Sequence, residues 1–316
     1  MPNEFLEFEK PVAELEAKIN ELQHLGRGNN VNISKEISQL EIKKQKLISS
    51  IFSTLTPWQV VQLARHPERP HSTDYIERIF TDFDDLHGDR HSKDCQAIIA
   101  GTARINGKSV MVIAQEKGRE VDEKVKHNFG MPRPEGYRKA LRLMQLAEKF
   151  NLPIITIIDT PGAYPGVDAE NHNQSEAIAR NISVMSSLKV PIVSIVIGEG
   201  MSGGALAIGV CDVCLMLEYS IYSVISPEGC ASILWKSADY TKNAAEIMQL
   251  TAADLLKHKL IDEIIPEPLG GCHRDFDDIA IRAKTLITNK LAYLSGLSVK
   301  DLLDKRYEKL MLNNID

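Results

Sequence analysis

The sequence predicts an α/β protein: a stacked spiral of strand and helix units, with a helical hairpin in front and helices behind. Three observations carry this expectation. Apolar residues recur at helical spacing over the first fifty or so positions, then at alternate positions from about residue 95. Residues 151–166 and 189–204 repeat one another at an offset of 38. Both copies end in glycine-rich stretches. These changes divide the chain into a helical region at 1–75, a core at 76–270 and a helical segment at 271–316.

Val12, Leu15, Ile19 and Leu22 alternate in steps of three and four. After Gly26-Arg27-Gly28-Asn29-Asn30 the pattern resumes with Ile33, Ile37, Leu40, Leu47 and Ile51, and Lys44 fills one apolar slot. Two amphipathic helices joined by a Gly/Asn turn are expected, with a coiled-coil-like seam satisfied within the hairpin or against the body. Partner docking is the alternative use of that hairpin. Next, AIIAGTARINGKSVMVIAQ alternates on both sides of Asn106-Gly107. Asn-Gly between such runs predicts a β-hairpin, because both central positions of a type I′ turn need positive φ. Gly107-Lys108-Ser109 mimics the end of a phosphate-binding P-loop, but the earlier glycine is out of place and a strand follows.

The repeat aligns NLPIITIIDTPGAYPG with KVPIVSIVIGEGMSGG, Pro153 on Pro191, Gly162 on Gly200 and Gly166 on Gly204. A helical segment precedes each copy; in the first, Ala140, Leu143, Met144, Ala147 and Phe150 share a face. The strands are near-continuous apolar runs, as expected where both faces are covered. A third run, VCLMLEYSIYSVISPEG, ends in Pro227-Glu228-Gly229 and echoes Pro134-Glu135-Gly136. After Gly270-Gly271 helical periodicity returns to the end.

Apolar residues make up 43% and charged residues 25% of the 316, which excludes wholesale disorder. The net charge of −6 argues against a dedicated nucleic-acid binder. No apolar run reaches the ~20 residues needed to span a bilayer, and MPNEFLEFEK shows no secretory pattern, so a cytoplasmic protein is expected. Five cysteines form no even framework. Cys211 and Cys214 have C-x-x-C spacing, but no second pair exists to make a zinc ribbon, and the pair runs into a strand where a thioredoxin-type motif would open a helix. They read as core thiols.

Gly200-Met201-Ser202-Gly203-Gly204 lies between a strand and a helix-like stretch. Its glycines let backbone approach a ligand, and the helix start adds free N–H groups suited to an anion or a developing oxyanion. The loop Asp159 to Gly166 ends the preceding strand in the same way. The same residues match G-x-S-x-G, the nucleophile elbow, with Ser202 as nucleophile; Asp262 with His273, or Asp254 with His258, are the later acid and base pairs of plausible order. Lys117 and Arg119 follow a strand and offer cations to a phosphate, carboxylate or ureido ligand, or simply sit in a solvated loop. Glu228 either orients a loop or caps the next helix.

NFGMPRPEGYRKALRLMQLAEKF, PIITIIDTPGAYPG, GEGMSGGALAIGV and YSVISPEGCASILWKSAD together resemble the α subunits of bacterial acetyl-CoA carboxylase carboxyltransferases. The likeness runs essentially end to end, from LEFEKPVAELEAKI to LIDEIIPEPLGGCHR. It implies a crotonase-like (ClpP/crotonase) spiral of ββα repeats. It also implies half an enzyme: two α and two β subunits, with the active site between them. Carboxybiotin, carried on a biotin carboxyl carrier protein and not on this chain, gives its carboxyl group to acetyl-CoA, making malonyl-CoA for fatty acid biosynthesis. A separate biotin carboxylase uses the ATP, and the family's zinc lies in β, so no metal is expected here. Gly203 and Gly204 then form the oxyanion hole for biotin, Gly162 and Ala163 line the same site, and Tyr164, Pro165, Gly166, Gly200, Met201, Ser202, Lys117 and Arg119 are expected at the substrate. Ser202 becomes a loop former. A serine hydrolase and a non-catalytic scaffold are the alternatives.

Overall fold

The computed structural model describes residues 4–25 and 31–312. Helices α1 (Lys10–Leu25) and α2 (Val31–Phe52) form the expected pair and pack on each other; the Gly26–Asn30 turn lies outside the described residues. The seam is shifted by one position in the second helix: Ile48 and Phe52 are buried, whereas Leu47 and Ile51 are half-buried. They meet Val12 and Leu63, so the helix turns towards the body as well as its partner.

Two short helices follow, α3 (Pro57–Ala64), capped by Thr56, and α4 (Ser72–Ile79). They pack against the sheet, α3 on its later strands and α4 on a central one. The sheet begins with β1 (Thr81–Asp85), β2 (Ile98–Ile105) and β3 (Lys108–Gln115). Strands β2 and β3 pair antiparallel from Ile98↔Gln115 to Ile105↔Lys108. Asn106 and Gly107 have φ of 48° and 78°, the positive pair that the hairpin turn needs.

From there the chain alternates. After α5 (Val121–Lys126) come α6 (Pro134–Lys149), β4 (Ile154–Thr160), α7 (Val167–Asn171), α8 (Gln174–Ser187) and β5 (Ile192–Met201). Every residue of β4 and β5 is buried. They are parallel and in the register of the repeat, Ile154 opposite Ile192 and Thr156 opposite Ser194. Ile155 and Ile157 face a core completed by α4 and a later helix; Ile154 and Ile158 face one completed by α6 and α8. Helix on both faces is why these strands read as unbroken apolar runs.

Short α9 (Ser202–Leu206) follows β5 directly. The third apolar run holds two strands: β6 (Val213–Leu217) beside β5, and β7 (Ile221–Ser223) beside the far end of β5. Then come α10 (Pro227–Trp235), α11 (Thr241–Ile247), α12 (Ala252–Lys257), β8 (Glu263–Ile265), α13 (Phe276–Leu294) and α14 (Val299–Leu312). Sheet order is β1-β2-β3-β4-β5-β6-β8, with β7 joined to β5. Helix α13 is the later helix over the first core, through Ile279, Ala283 and Ile287. Parallel strands β3 to β6 end on one side, and the glycine loops leave from there.

Candidate active site

A cavity of about 500 Å³ opens at the ends of β4 and β5. Pro161, Gly162, Ala163, Tyr164 and Pro165 form one wall; Met201, Ser202 and Gly203 form the facing one, with Val224, Ile225 and Ser226 at its edge. Seven of the expected residues thus come together, from Gly162 to Pro165 and from Met201 to Gly203. Gly204 lies behind them and makes the closest approach between the loops. A Cβ there would stand 2.5 Å from the Ala163 nitrogen and 2.6 Å from the Gly162 carbonyl carbon. Only glycine lets the two loops touch. Gly162 adopts φ 137°, which side-chain-bearing residues rarely reach.

The first turn of α9 supplies the donors. The Gly203 carbonyl accepts from Ala207 N–H at 3.0 Å. No described peptide is cis, so the Gly204 N–H points the opposite way, out of the helix start. The Gly204 carbonyl accepts from Gln115 Nε2 at 2.7 Å, which fixes the next peptide. Two neighbouring N–H groups are already used. Gly162 donates to Thr160 Oγ1 at 3.0 Å, and Tyr164 donates to the Pro132 carbonyl at 3.1 Å.

Gly166 and Gly200 are off the cavity wall and serve packing, against the Tyr164 and Tyr222 rings respectively. Lys117 also lies off it. Its ammonium sits 2.7 Å from Asp159 Oδ1 and 2.8 Å from Glu199 Oε2. Arg65 extends the network, 2.6 Å from Glu199 Oε1 and 2.6 Å from Glu228 Oε1. Burial opposes the charge on Glu199, but Lys117 and Arg65 outweigh it and hold the carboxyl down at about 2. Asp159 Oδ1 also accepts from Glu199 N–H at 2.9 Å. This buried network joins the ends of β3, β4 and β5 directly beneath the glycine loops. Arg119 is elsewhere, 2.6 Å from Asp74 Oδ2. Glu228 does not cap α10, whose cap is the Ser226 hydroxyl accepting from Gly229 N–H at 3.1 Å; it lies in the first turn and grips Arg65.

Ser202 has φ 56°, the strained turn of a nucleophile elbow. No base reaches it. His273 stacks on His66 with ring centroids 4.0 Å apart, and Asp262 pairs with Lys309. His258 bonds Gln249, and Asp254 caps back onto Thr251. None of these four lines the cavity, so the hydrolase constellation is not assembled.

The sequence profile described as acetyl co-enzyme A carboxylase carboxyltransferase-like matches residues 5–313. The chain is 60% identical over 311 residues to the acetyl-coenzyme A carboxylase carboxyl transferase subunit alpha of Methylococcus capsulatus, covering 98% of this chain and 97% of that one. It belongs to this family. The family member of Tolumonas auensis is 61% identical over 309 residues, 97% of each chain. Among solved structures, transcarboxylase 12S matches 70% of this chain and 42% of its own longer chain, with TM-score 0.56 and 19% identity. A Pseudomonas malonate decarboxylase MdcD–MdcE heterodimer matches 69% of this chain and 91% of that one at TM-score 0.53 and 15% identity. The family fold is the crotonase-like spiral, and the repeat, the covered sheet and the strand-end loops are its parts. No helix among the described residues is long and apolar enough to cross a membrane.

Sequence reasoning missed Gln115, Asp159, Glu199 and Arg65. Each was visible only as a polar residue at the end of an apolar run, a weak signal without the fold that gathers them.

Proposed function

We propose that this chain is the α half of a biotin-dependent carboxyltransferase that makes malonyl-CoA from acetyl-CoA. The observation that supports this is the Gly203–Gly204 start of α9, with the Gly204 N–H directed out of the helix and Gly203 lining a cavity without an acid–base pair. The cavity volume and the bare Gly162 wall fit a small planar ring. Carboxybiotin supplies the carboxyl group to be transferred and a ring nitrogen basic enough to take the acceptor's α proton. The chain's own part is electrostatic. Gly203 and Gly204 N–H groups donate to the ureido oxygen where negative charge develops, and such fixed donors are worth most in the transition state. Gln115 and the Gly162–Ala163 backbone hold that turn in place, and the Lys117–Asp159–Glu199 network holds the strand ends beneath it. The relatives are named as alpha subunits of a carboxyl transferase, and on that likeness the acceptor site belongs with a β subunit, two copies with two of this chain, served by a biotin carboxyl carrier protein and an ATP-dependent biotin carboxylase.

The test is malonyl-CoA decarboxylation with free biotin, measured on this chain with and without a purified β subunit. Turnover only in the mixture is expected. Turnover by this chain alone, or none in a stable complex of the two, would overturn the assignment.

A further inference from the structure

On the other side of the Ser202 turn lies a second cavity of about 310 Å³. Ser202 and Val224 line both cavities, and Leu206, Leu255, Leu260 and Leu310 make this one apolar. Its polar lining includes two thiols and one ammonium, those of Cys211, Cys214 and Lys309. The chain bends at Asp212, which turns Cys211 back towards Cys214 at the start of β6. That bend is rigid: Asp212 is gripped by Arg306 Nε and Nη2, each at 2.8 Å, and accepts from Ile192 N–H at 2.7 Å.

Cys211 and Cys214 line this cavity together with the Lys309 ammonium, and Ser194, opposite Cys214 across the sheet, accepts from Thr156 Oγ1 at 2.6 Å. The interaction with Cys214 is the largest influence, burial opposes it, and Lys309 and Ser194 add to it; together they push the Cys211 thiol down. Cys214 is pushed up, first by its interaction with Cys211 and then by burial. The arrangement sets the more acidic thiol, Cys211, beside the less acidic Cys214 as its resolving partner, within a cavity that admits a small oxidant. C-x-x-C spacing alone read as core thiols; the shared cavity, with the Lys309 ammonium in its lining, is what changes that.

We propose that Cys211 and Cys214 are an oxidation site for hydroperoxides, closing to a disulfide that disturbs the Gly203–Gly204 turn. The Cys211 thiolate attacks the outer oxygen of the peroxide, the O–O bond breaks, and the leaving alkoxide or hydroxide takes a proton from water. Cys211 is now a sulfenic acid. Cys214, giving up its proton, attacks the Cys211 sulfur; the S–O bond breaks and water leaves, so two electrons have passed from the thiols to the peroxide. Cys211 is tied to α9 through Gly209 and Val210. Drawing its sulfur onto Cys214 pulls on the far end of the segment that begins at Ser202.

The effect on activity rests on the carboxyl-transfer reading; formation of the disulfide does not. The complex of this chain with its β subunit is treated with hydrogen peroxide, free thiols are trapped with iodoacetamide, and the peptides are weighed. A linked Cys211–Cys214 peptide is expected, with malonyl-CoA decarboxylation falling about tenfold or more, since losing a single backbone donor costs on the order of a hundredfold. Dithiothreitol restores it, and Cys211→Ser and Cys214→Ser complexes, with ordinary basal activity, escape the loss. Both thiols trapped as free would overturn the site. A disulfide with unchanged activity would overturn its coupling to the turn, as would equal loss in the variants. A complex inactive before treatment would count against the carboxyl-transfer reading, while the peptide masses still decide the site.

Discussion

At the scale of single residues, Gly203 and Gly204 are not equivalent. An added Cβ at Gly204 strikes the Gly162–Ala163 backbone at 2.5–2.6 Å, whereas at Gly203 it meets only Ile178 at 3.6 Å, an ordinary contact. Gly204→Ala is therefore expected to cost about 1–3 kcal/mol of stability by overpacking and about a hundredfold in carboxyl transfer through displaced donors. Gly203→Val should keep its stability but lose activity, because its branched carbons enter the cavity beside the donors. Denaturant midpoints and turnover of the reconstituted complex separate the two. A Gly204→Ala enzyme with normal turnover would remove the oxyanion role. Lys117 makes a different prediction. Replacing it with Met leaves Asp159 and Glu199 buried without their shared cation, a loss of about 3–5 kcal/mol seen as a lower urea midpoint. The glycines were legible in the sequence because three in five residues have few other uses. The job of Lys117 was not, because its partners lie on strands far along the chain and nothing local marks them.

At the scale of elements, the repeat offset of 38 is the β4–β5 register itself as far as Ile158↔Val196. Beyond that it fails. Thr160 pairs with Gly200, so Asp159 alone faces Ile197, Gly198 and Glu199. This bulge sets Glu199 beside Asp159 and slides the second glycine loop so that Gly204, not Gly200, meets Gly162. Periodicity in a sequence reports regular pairing, and an irregular step leaves no trace in it. The N-terminal segment offers an element-scale test. Buried Glu9 pairs with Arg274 at 2.8 Å beside the stacked rings of His66 and His273. Burial, with His66, Arg274 and Arg69 nearby, drives His273 down to about 2, and burial also lowers His66. Unfolded histidines titrate near 6.5, so between there and the folded value the unfolded chain binds more protons. Stability is then full above pH 6.5 and lost as pH falls below it. Glu199, also held down, acts only below the usual carboxylate range. Calorimetry should show Tm dropping from pH 7 to pH 5, and the drop should flatten in His273→Asn. An unchanged slope would mean that the pair does not govern acid stability.

At the scale of the whole molecule, the site is built on one side only. Its walls come from the ends of β4 and β5 and the start of α9, and its rim carries Val224 at 76% exposure. A large apolar residue bared at a polar cavity's edge wants a cover, and a transfer reaction that must exclude water wants the same thing. Both requirements are met if the β subunit closes the cavity over this rim. Val224→Glu then places a charge in the closing surface without touching the chain's own core. The variant chain should fold with unchanged Tm, bind β at least about tenfold more weakly because an unpaired buried charge is expensive, and regain turnover as β is added in excess. Weakened turnover that excess β cannot restore would place Val224 among the groups that handle substrate. Unaltered binding would mean that this rim faces solvent in the assembled enzyme, and that the cavity is closed from another side.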